Sequence, residues 1–226
     1  MKLFRFLPRA VESWVGLAAG LPVVARLAWL SMAVSLAAGA ASGQWPRLAY
    51  LVDQVAVAVF AVGWLRFVAL GELPPGPLPV RLGRRELFFT LFWMAANTFV
   101  GYPAAVFAST LAPVTGLDAK ALVLPLMVLS YAVMGTFLLL PVEYALDDVG
   151  KTRPPVDLLL QGGVAAGIGL VVVWGPPALA VVALATVPTP SPLAAKALAL
   201  LPQYLGVAAV TGYLGLVWRS LVADTG

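Results

Sequence analysis

The chain has 226 residues, of which 62% are apolar and only 11% are charged. Soluble globular domains are about a quarter charged, so this composition excludes an ordinary soluble fold, a disordered chain and a nucleic-acid-binding domain. The formal net charge is +4, and the basic residues lie mainly at the ends of apolar runs, where such residues orient a membrane protein. We therefore expect a protein that crosses a bilayer several times and has no nucleic-acid partner.

The sequence contains no His and no Cys. These residues are the usual ligands of haem, iron–sulfur clusters and zinc, and they also form common nucleophile–base pairs. Neither a phosphate-binding glycine loop nor a serine nucleophile elbow occurs in the chain. We therefore expect no cofactor, no metal site and no catalytic residue.

Six apolar runs are long enough, at roughly 20 residues each, to cross the hydrocarbon core as helices. A semi-polar segment, residues 1–26, precedes the first run, and we expect it in the cytoplasm and at the membrane interface. The connectors 71–85 and 146–155 are too rich in proline and charge to continue a helix. In chain order, the predicted spans cover residues 27–42, 48–70, 86–110, 120–145, 156 to the turn at 188–192, and 193–221. We predict one all-α membrane domain over residues 1–226, with six transmembrane helices arranged as three helical hairpins.

The fifth predicted span contains Gly175-Pro176-Pro177, where two successive prolines remove backbone donors. We expect the helix to break there. Broken helices form ion and substrate sites in transporters. The same span carries Gly163 and Gly167, whose G-x-x-x-G spacing predicts a close helix contact, within the subunit or with a partner protein.

The distribution of basic residues predicts the orientation of the chain. With six spans, eleven basic residues fall on the side that holds both termini and three fall on the other side. Short loops rich in Lys and Arg stay in the cytoplasm, so we expect both termini there. The residues that dominate this bias are Arg66, Arg81, Arg84, Arg85, Lys151 and Arg153.

Three polar residues at membrane depth are candidates for a transport site, because ionisable groups in membrane helices usually serve a function. Asp53 is either a proton or cation site or a carboxylate at the interface, and its place near a helix start favours the interface. Glu143 either carries a proton at a kinked helix or opens a solvated acidic edge, and we favour the solvated edge. Asn97, in the third span, most simply hydrogen-bonds to a neighbouring helix.

Two stretches of the chain resemble a known group of proteins. The stretch WLRFVALGE (residues 64–72) closes the second span, and LGRREL (residues 82–87) opens the third. Together they resemble a group of uncharacterised alphaproteobacterial inner-membrane proteins with six helices. The chain departs from that group at Leu65, where the group often has His, and at Phe88, where it often has a basic residue. The resemblance implies the six-helix topology and a bacterial inner membrane, and it implies no activity.

These observations favour a non-catalytic membrane protein. We predict an accessory, assembly or scaffold subunit that packs against another integral membrane protein, a second copy of itself or membrane lipids. The alternative is a small transporter or channel that uses Asp53, Asn97, Glu143 and the predicted helix break at Gly175-Pro176-Pro177.

Overall fold

The computed structural model describes residues 4–74, 76, 78, 83–116, 118–146, 155–185 and 187–223, and the regular structure within these ranges is entirely helical. Eight α-helices follow one another along the described chain, and a 3-10 turn at Gly135–Leu138 joins the fifth to the sixth. The helices are α1 (Leu7–Ala19), α2 (Leu21–Ala41), α3 (Pro46–Leu70), α4 (Arg84–Thr115), α5 (Ala119–Met134), α6 (Leu139–Leu146), α7 (Pro155–Ala185) and α8 (Pro192–Ala223).

Five helical segments in the described ranges are long and apolar enough to cross a membrane, which indicates a membrane-embedded protein. They are Leu21–Ala41, Pro46–Leu70, Pro125–Leu146, Leu160–Val181 and Pro192–Ala223. The helix α4, which contains the third predicted span, has 32 residues and is not among these five. Helices suit this environment because each one satisfies its own backbone hydrogen bonds without water.

The last helix, α8, is the centre of the bundle and contacts α1, α2, α3, α6 and α7. Three of its glycines allow these close approaches, because a Cβ added to any of them would crowd a neighbouring helix. Such a Cβ at Gly206 would lie 2.8 Å from Pro177 of α7, and one at Gly215 would lie 3.1 Å from Leu65 of α3. At Gly212 it would lie 3.0 Å from the hydroxyl of Ser13.

Two side chains use the space beside Gly212 to hydrogen-bond to the backbone of α8. The Ser13 hydroxyl donates to the carbonyl of Ala209 at 2.6 Å, and the Trp64 indole N–H donates to the carbonyl of Ala208 at 2.8 Å. A carbonyl oxygen has two lone pairs, so it can accept a side-chain donor as well as the helical amide. These bonds attach α1 and α3 to the middle of α8.

The first membrane helix begins at Leu21, whereas the sequence analysis placed its start at residue 27. Pro22 lies in the first turn of α2, where its missing N–H disturbs no helical hydrogen bond. Arg26 therefore lies within the apolar helix instead of before it. Its long side chain is exposed and reaches the carbonyl of Gly76 at 3.4 Å, which is how arginine keeps its charge out of hydrocarbon.

The fourth predicted span is two helices rather than one. The α-helical pattern stops at Met134, continues as a 3-10 turn over Gly135–Leu138 and resumes in α6. Pro141 explains the interruption, because proline donates no hydrogen bond to the carbonyl four residues earlier and its ring crowds that carbonyl.

The predicted break at Gly175-Pro176-Pro177 does not occur, since α7 stays helical through these residues. A proline has the φ angle of a helix, and the ring of Pro177 packs against Gly206 of α8. The non-helical residue of α7 is instead Gly163, with φ of 49° and ψ of −155°. Glycine is the residue that adopts this conformation without steric cost.

The helix ends meet in two groups. At the first, which we call the Asp53 end, α2 ends and α3 and α8 begin, and Lys196 of α8 contacts both Gly39 and Asp53. At the second, the Arg66 end, α3, α6 and α8 end and α4 begins. There Arg66 donates to the carbonyl of Ala145, and the ring of Phe92 stacks on that of Tyr144 at 4.7 Å.

Candidate functional site

A half-open cavity of about 530 Å³ lies between α3, α4, α5, α7 and α8. Its volume falls in the range of about 300–1,000 Å³ that is typical of small-molecule sites. Along α8 it extends from Ala199 to Val210, which is about 16 Å at the helical rise per residue. The cavity thus begins one turn beyond Lys196 and continues to the middle of the membrane helix.

Prolines occur within three of the helices that surround the cavity. Three helices that enclose it carry internal prolines beside the lining residues, namely Pro125 in α5, Pro177 in α7 and Pro202 in α8. Proline bends a helix by removing a hydrogen bond and crowding the preceding turn. Each of these prolines leaves a carbonyl of its own helix without the usual backbone partner.

Three aromatic side chains contribute to the apolar lining. Tyr131 of α5 stacks on Trp174 of α7, with ring centroids 5.6 Å apart and planes inclined by 19°. Trp93 of α4 lines the cavity and stacks on Phe89 at 5.4 Å. No charged residue is found among the described residues that line the cavity.

The cavity contains two carboxamides, from Gln54 of α3 and Gln203 of α8. Neither side chain hydrogen-bonds to any residue that the structure describes. A primary amide supplies two donors and one acceptor, and leaving these groups unpaired in an apolar environment costs free energy. The two amides are therefore the groups of this cavity that are available to a ligand.

An ion pair lies beside the cavity, at the Asp53 end. Lys196 Nζ is 3.0 Å from Asp53 Oδ2, and the two side chains are 27% and 14% exposed. The stem of Lys196 passes over Gly39, where an added Cβ would lie 3.0 Å from Lys196 Cγ. The other oxygen of the carboxylate, Asp53 Oδ1, is buried without a hydrogen-bond partner among the described residues. The sequence analysis placed Asp53 at an interface but did not identify its partner.

A second polar contact lies close to this pair. The hydroxyls of Ser35 and Tyr204 share a buried hydrogen bond of 2.9 Å, which joins α2 to α8. The ring of Tyr204 also packs on Phe60 of α3, with centroids 5.1 Å apart. Because hydrogen bonds between membrane helices are worth about 1 kcal/mol, this contact holds three helices together beside the ion pair.

Glu143 is buried, with 6% of its surface exposed, and accepts a hydrogen bond from the Trp218 indole N–H of α8. The expectation of a solvated edge is therefore wrong at this residue, because α6 turns the carboxylate toward α8. Glu143 lies at the Arg66 end. Lys196 and Trp218, the α8 partners of Asp53 and Glu143, are about 33 Å apart along the helix. The two carboxylates do not form one site.

The basic residues predicted to set topology have different environments. Arg66 is nearly buried and donates to Glu72 Oε2 at 2.5 Å and to the carbonyl of Ala145 at 2.9 Å. Arg84 lies over the ring of Phe88, 5.4 Å from its centroid, and Arg85 follows it in the first turn of α4. Three others, Arg81, Lys151 and Arg153, lie outside the described residues, as does most of the predicted polar loop 146–155.

Asn97 lies on α4, but its side chain is not among those that the structure describes. Gly163 and Gly167 do not act together as one contact face. A Cβ on Gly167 would overlap the carbonyl oxygen of Ala132, so α7 and α5 touch there backbone to backbone. A Cβ on Gly163 would meet no atom within 4 Å, and its positive φ accounts for the glycine instead.

Comparisons with known protein families, curated proteins and solved structures find no match to this chain. Within the described ranges, no group of three or more Asp and Glu side chains is placed to hold a metal ion. The candidate site therefore rests on geometry alone, and consists of the cavity with its two amides and the ion pair beside it. Gln54 was not singled out from the sequence. Its position could have indicated a role, because it is a polar residue within an apolar helix, next to Asp53.

Proposed function

We propose that this protein is a non-catalytic component of the bacterial inner membrane, with six spans arranged as three hairpins and both termini in the cytoplasm. It acts as an accessory, assembly or scaffold subunit that packs against another integral membrane protein, a second copy of itself or membrane lipids. The resemblance of residues 64–72 and 82–87 to the alphaproteobacterial six-helix group supports the inner-membrane location.

The observation that carries this proposal is the internal use of ionisable side chains. Asp53 pairs with Lys196 at one end of the bundle, and Glu143 contacts Trp218 at the other. Arg66 is held by Glu72 and a backbone carbonyl. Ionisable groups that serve an ion or proton path line a shared route, whereas these groups hold helices together, as expected of a packing subunit.

The expected topology is supported by the grouping of helix ends. Arg9 reaches Ser220 near the end of α8, so it belongs with Arg66 and Arg84 at the Arg66 end. Arg47 and Lys196 belong to the Asp53 end, which is the side with few basic residues. This division follows the rule that basic residues remain in the cytoplasm.

Single cysteines test this orientation, since the chain has none of its own. In intact cells with a permeable outer membrane, a membrane-impermeant thiol reagent should label Gln44→Cys and Ser191→Cys. Gly76→Cys should react only after the inner membrane is opened. Labelling of Gly76→Cys in intact cells would contradict the proposed orientation.

Purification in a mild detergent, followed by mass spectrometry, tests the accessory role. We expect one other membrane protein in stoichiometric amount, or a dimer of this chain detected by light scattering. A monomeric chain that copurifies with no other protein and no defined lipid would contradict the role.

The transporter alternative is favoured by one observation, the cavity with Gln54 and Gln203 beside a buried ion pair. Flux assays in proteoliposomes with Asp53→Asn and Glu143→Gln decide between the two functions. Loss of a measurable solute flux in either variant would favour transport over the accessory role. The accessory role predicts no flux that depends on these carboxylates.

A further inference from the structure

We infer that the cavity binds an uncharged ring compound that carries carbonyl groups and an apolar tail, the chemistry of a membrane quinone. This inference adds a ligand to the proposed function. It requires the chain to be embedded in a membrane, and it does not require a protein partner.

The charge of the ligand follows from the lining. The described lining residues are apolar, aromatic or carboxamide, and none carries a charge. An ionised ligand in such a place would lack a counter-ion, and burying an unpaired charge is costly. Lys196 is engaged by Asp53 beside the cavity and is not among the lining residues. The site therefore favours a neutral molecule.

The hydrogen-bonding groups of the ligand follow from the two glutamines. Gln54 and Gln203 approach the cavity from different helices, and neither is bonded to a described residue. Their N–H groups are donors that suit carbonyl oxygens. A ligand with carbonyl groups would accept hydrogen bonds from the amide N–H groups that hydrocarbon alone leaves unpaired.

The ring follows from the aromatic lining. Tyr131 and Trp174 lie nearly parallel, and Trp93 lines the same cavity. Aromatic rings favour offset stacking with other flat groups, at about 0.5–1.5 kcal/mol beyond the area they bury. The length of the cavity along α8, about 16 Å, leaves room for part of an apolar tail. Such a molecule dissolves in the bilayer and reaches the cavity from there.

The experiment uses the full-length protein in lipid nanodiscs, with decylubiquinone as the probe. Trp93 and Trp174 report binding, because a quinone close to an indole quenches its fluorescence. We expect saturable quenching with one molecule bound per chain. Gln54→Leu and Gln203→Leu should each weaken binding about three- to tenfold, the effect of one hydrogen bond, and the double variant should weaken it further.

Gln161→Leu is the matched control, since Gln161 is exposed and does not line the cavity. It should bind the probe as the unaltered chain does. Ala178→Phe, which places a ring in the cavity, should abolish saturable quenching. Size-exclusion chromatography and circular dichroism identify variants that fail to fold.

Thermal stability separates a ligand site from a purely structural role. If the amides serve a ligand, replacing both by leucine should leave the melting temperature without ligand unchanged or raise it, because unpaired amides are removed. If the melting temperature falls instead, the amides support the fold and the inference is wrong.

Dioleoylglycerol is the competing probe, because its esters are also neutral carbonyl groups on an apolar body. Displacement of bound decylubiquinone by a tenfold excess of dioleoylglycerol would overturn the assignment of a ring compound. Absence of saturable quenching, or equal binding by the double glutamine variant, would overturn the site itself. A monomeric chain with no protein partner and no defined lipid would contradict the accessory role and leave these measurements unaffected.

Discussion

Lys196 and Asp53 are 143 residues apart in the sequence, yet their side chains form an ion pair of 3.0 Å that joins α8 to α3. The pair lies at the end of the bundle where both helices begin. Because both side chains are largely enclosed, each charge depends on the other for its compensation. Substitutions at Asp53 and Lys196 can test this mutual dependence.

Breaking the ion pair should be more damaging than removing it. We expect Lys196→Met to destabilise the fold by roughly 1–3 kcal/mol, because it leaves the half-buried Asp53 without its counter-charge. The double variant Asp53→Asn/Lys196→Met should recover most of this loss. Reversible unfolding in mixed detergent measures Asp53→Asn, Lys196→Met and the double variant as a double-mutant cycle. Strictly additive effects of the two single substitutions would mean that the pair contributes nothing.

Gly167 should tolerate no larger side chain. In Gly167→Ala, the new methyl group would overlap the carbonyl oxygen of Ala132, and we expect a loss of about 1–3 kcal/mol from overpacking. Gly16→Ala in α1 is the control, since Gly16 does not precede a proline and a Cβ there meets no atom within 4 Å. The control should be neutral or stabilising by up to about 1 kcal/mol, because alanine favours helix more than glycine does. Thermal unfolding of the two variants should therefore shift in different directions.

Substitution of Gly163 should also destabilise the protein, because of its backbone angles and not because of a steric overlap. A Cβ at Gly163 has open space around it, but the backbone angles of 49° and −155° are strained for any other residue. We expect Gly163→Ala to cost about 1–3 kcal/mol. Gly16→Ala, also in open space but without a positive φ, should cost little. Similar unfolding temperatures for the two variants would show that the backbone of α7 does not need glycine at this residue.

Arg66 should not be replaceable by lysine. Its guanidinium donates to Glu72 and to the carbonyl of Ala145 at the same time, and a lysine ammonium cannot reproduce this planar arrangement. We expect Arg66→Lys to destabilise the protein by roughly 1–3 kcal/mol. Arg84→Lys, at an exposed residue, should change stability by less than about 0.5 kcal/mol. Limited proteolysis at the 71–85 connector provides the second measurement, since loss of the Arg66–Glu72 contact should accelerate cleavage there.

The sequence analysis identified the second membrane helix closely, because its boundaries are local. Pro46 is the first residue of α3, and Gly71, directly after its end, adopts the left-handed conformation that ends many helices. The analysis failed at Gly175-Pro176-Pro177, where the prolines were expected to end the helix. That failure has a tertiary cause, because the contact between Pro177 and Gly206 stabilises a helix that local preferences disfavour.

The candidate site likewise combines features that consecutive residues determine with features that only tertiary contacts determine. An apolar run long enough to cross a bilayer can be recognised from consecutive residues, because each membrane helix must satisfy its own backbone hydrogen bonds. Amino-acid order was therefore enough to indicate a helical membrane protein and to find Asp53, Glu143 and Gly167 as residues of interest. It could not pair Asp53 with Lys196, bury Glu143 against Trp218 or bring Gln54 and Gln203 to one cavity. Those contacts depend on how each helix is rotated and bent against its neighbours. Only close packing between segments that are distant in the sequence determines this rotation and bending.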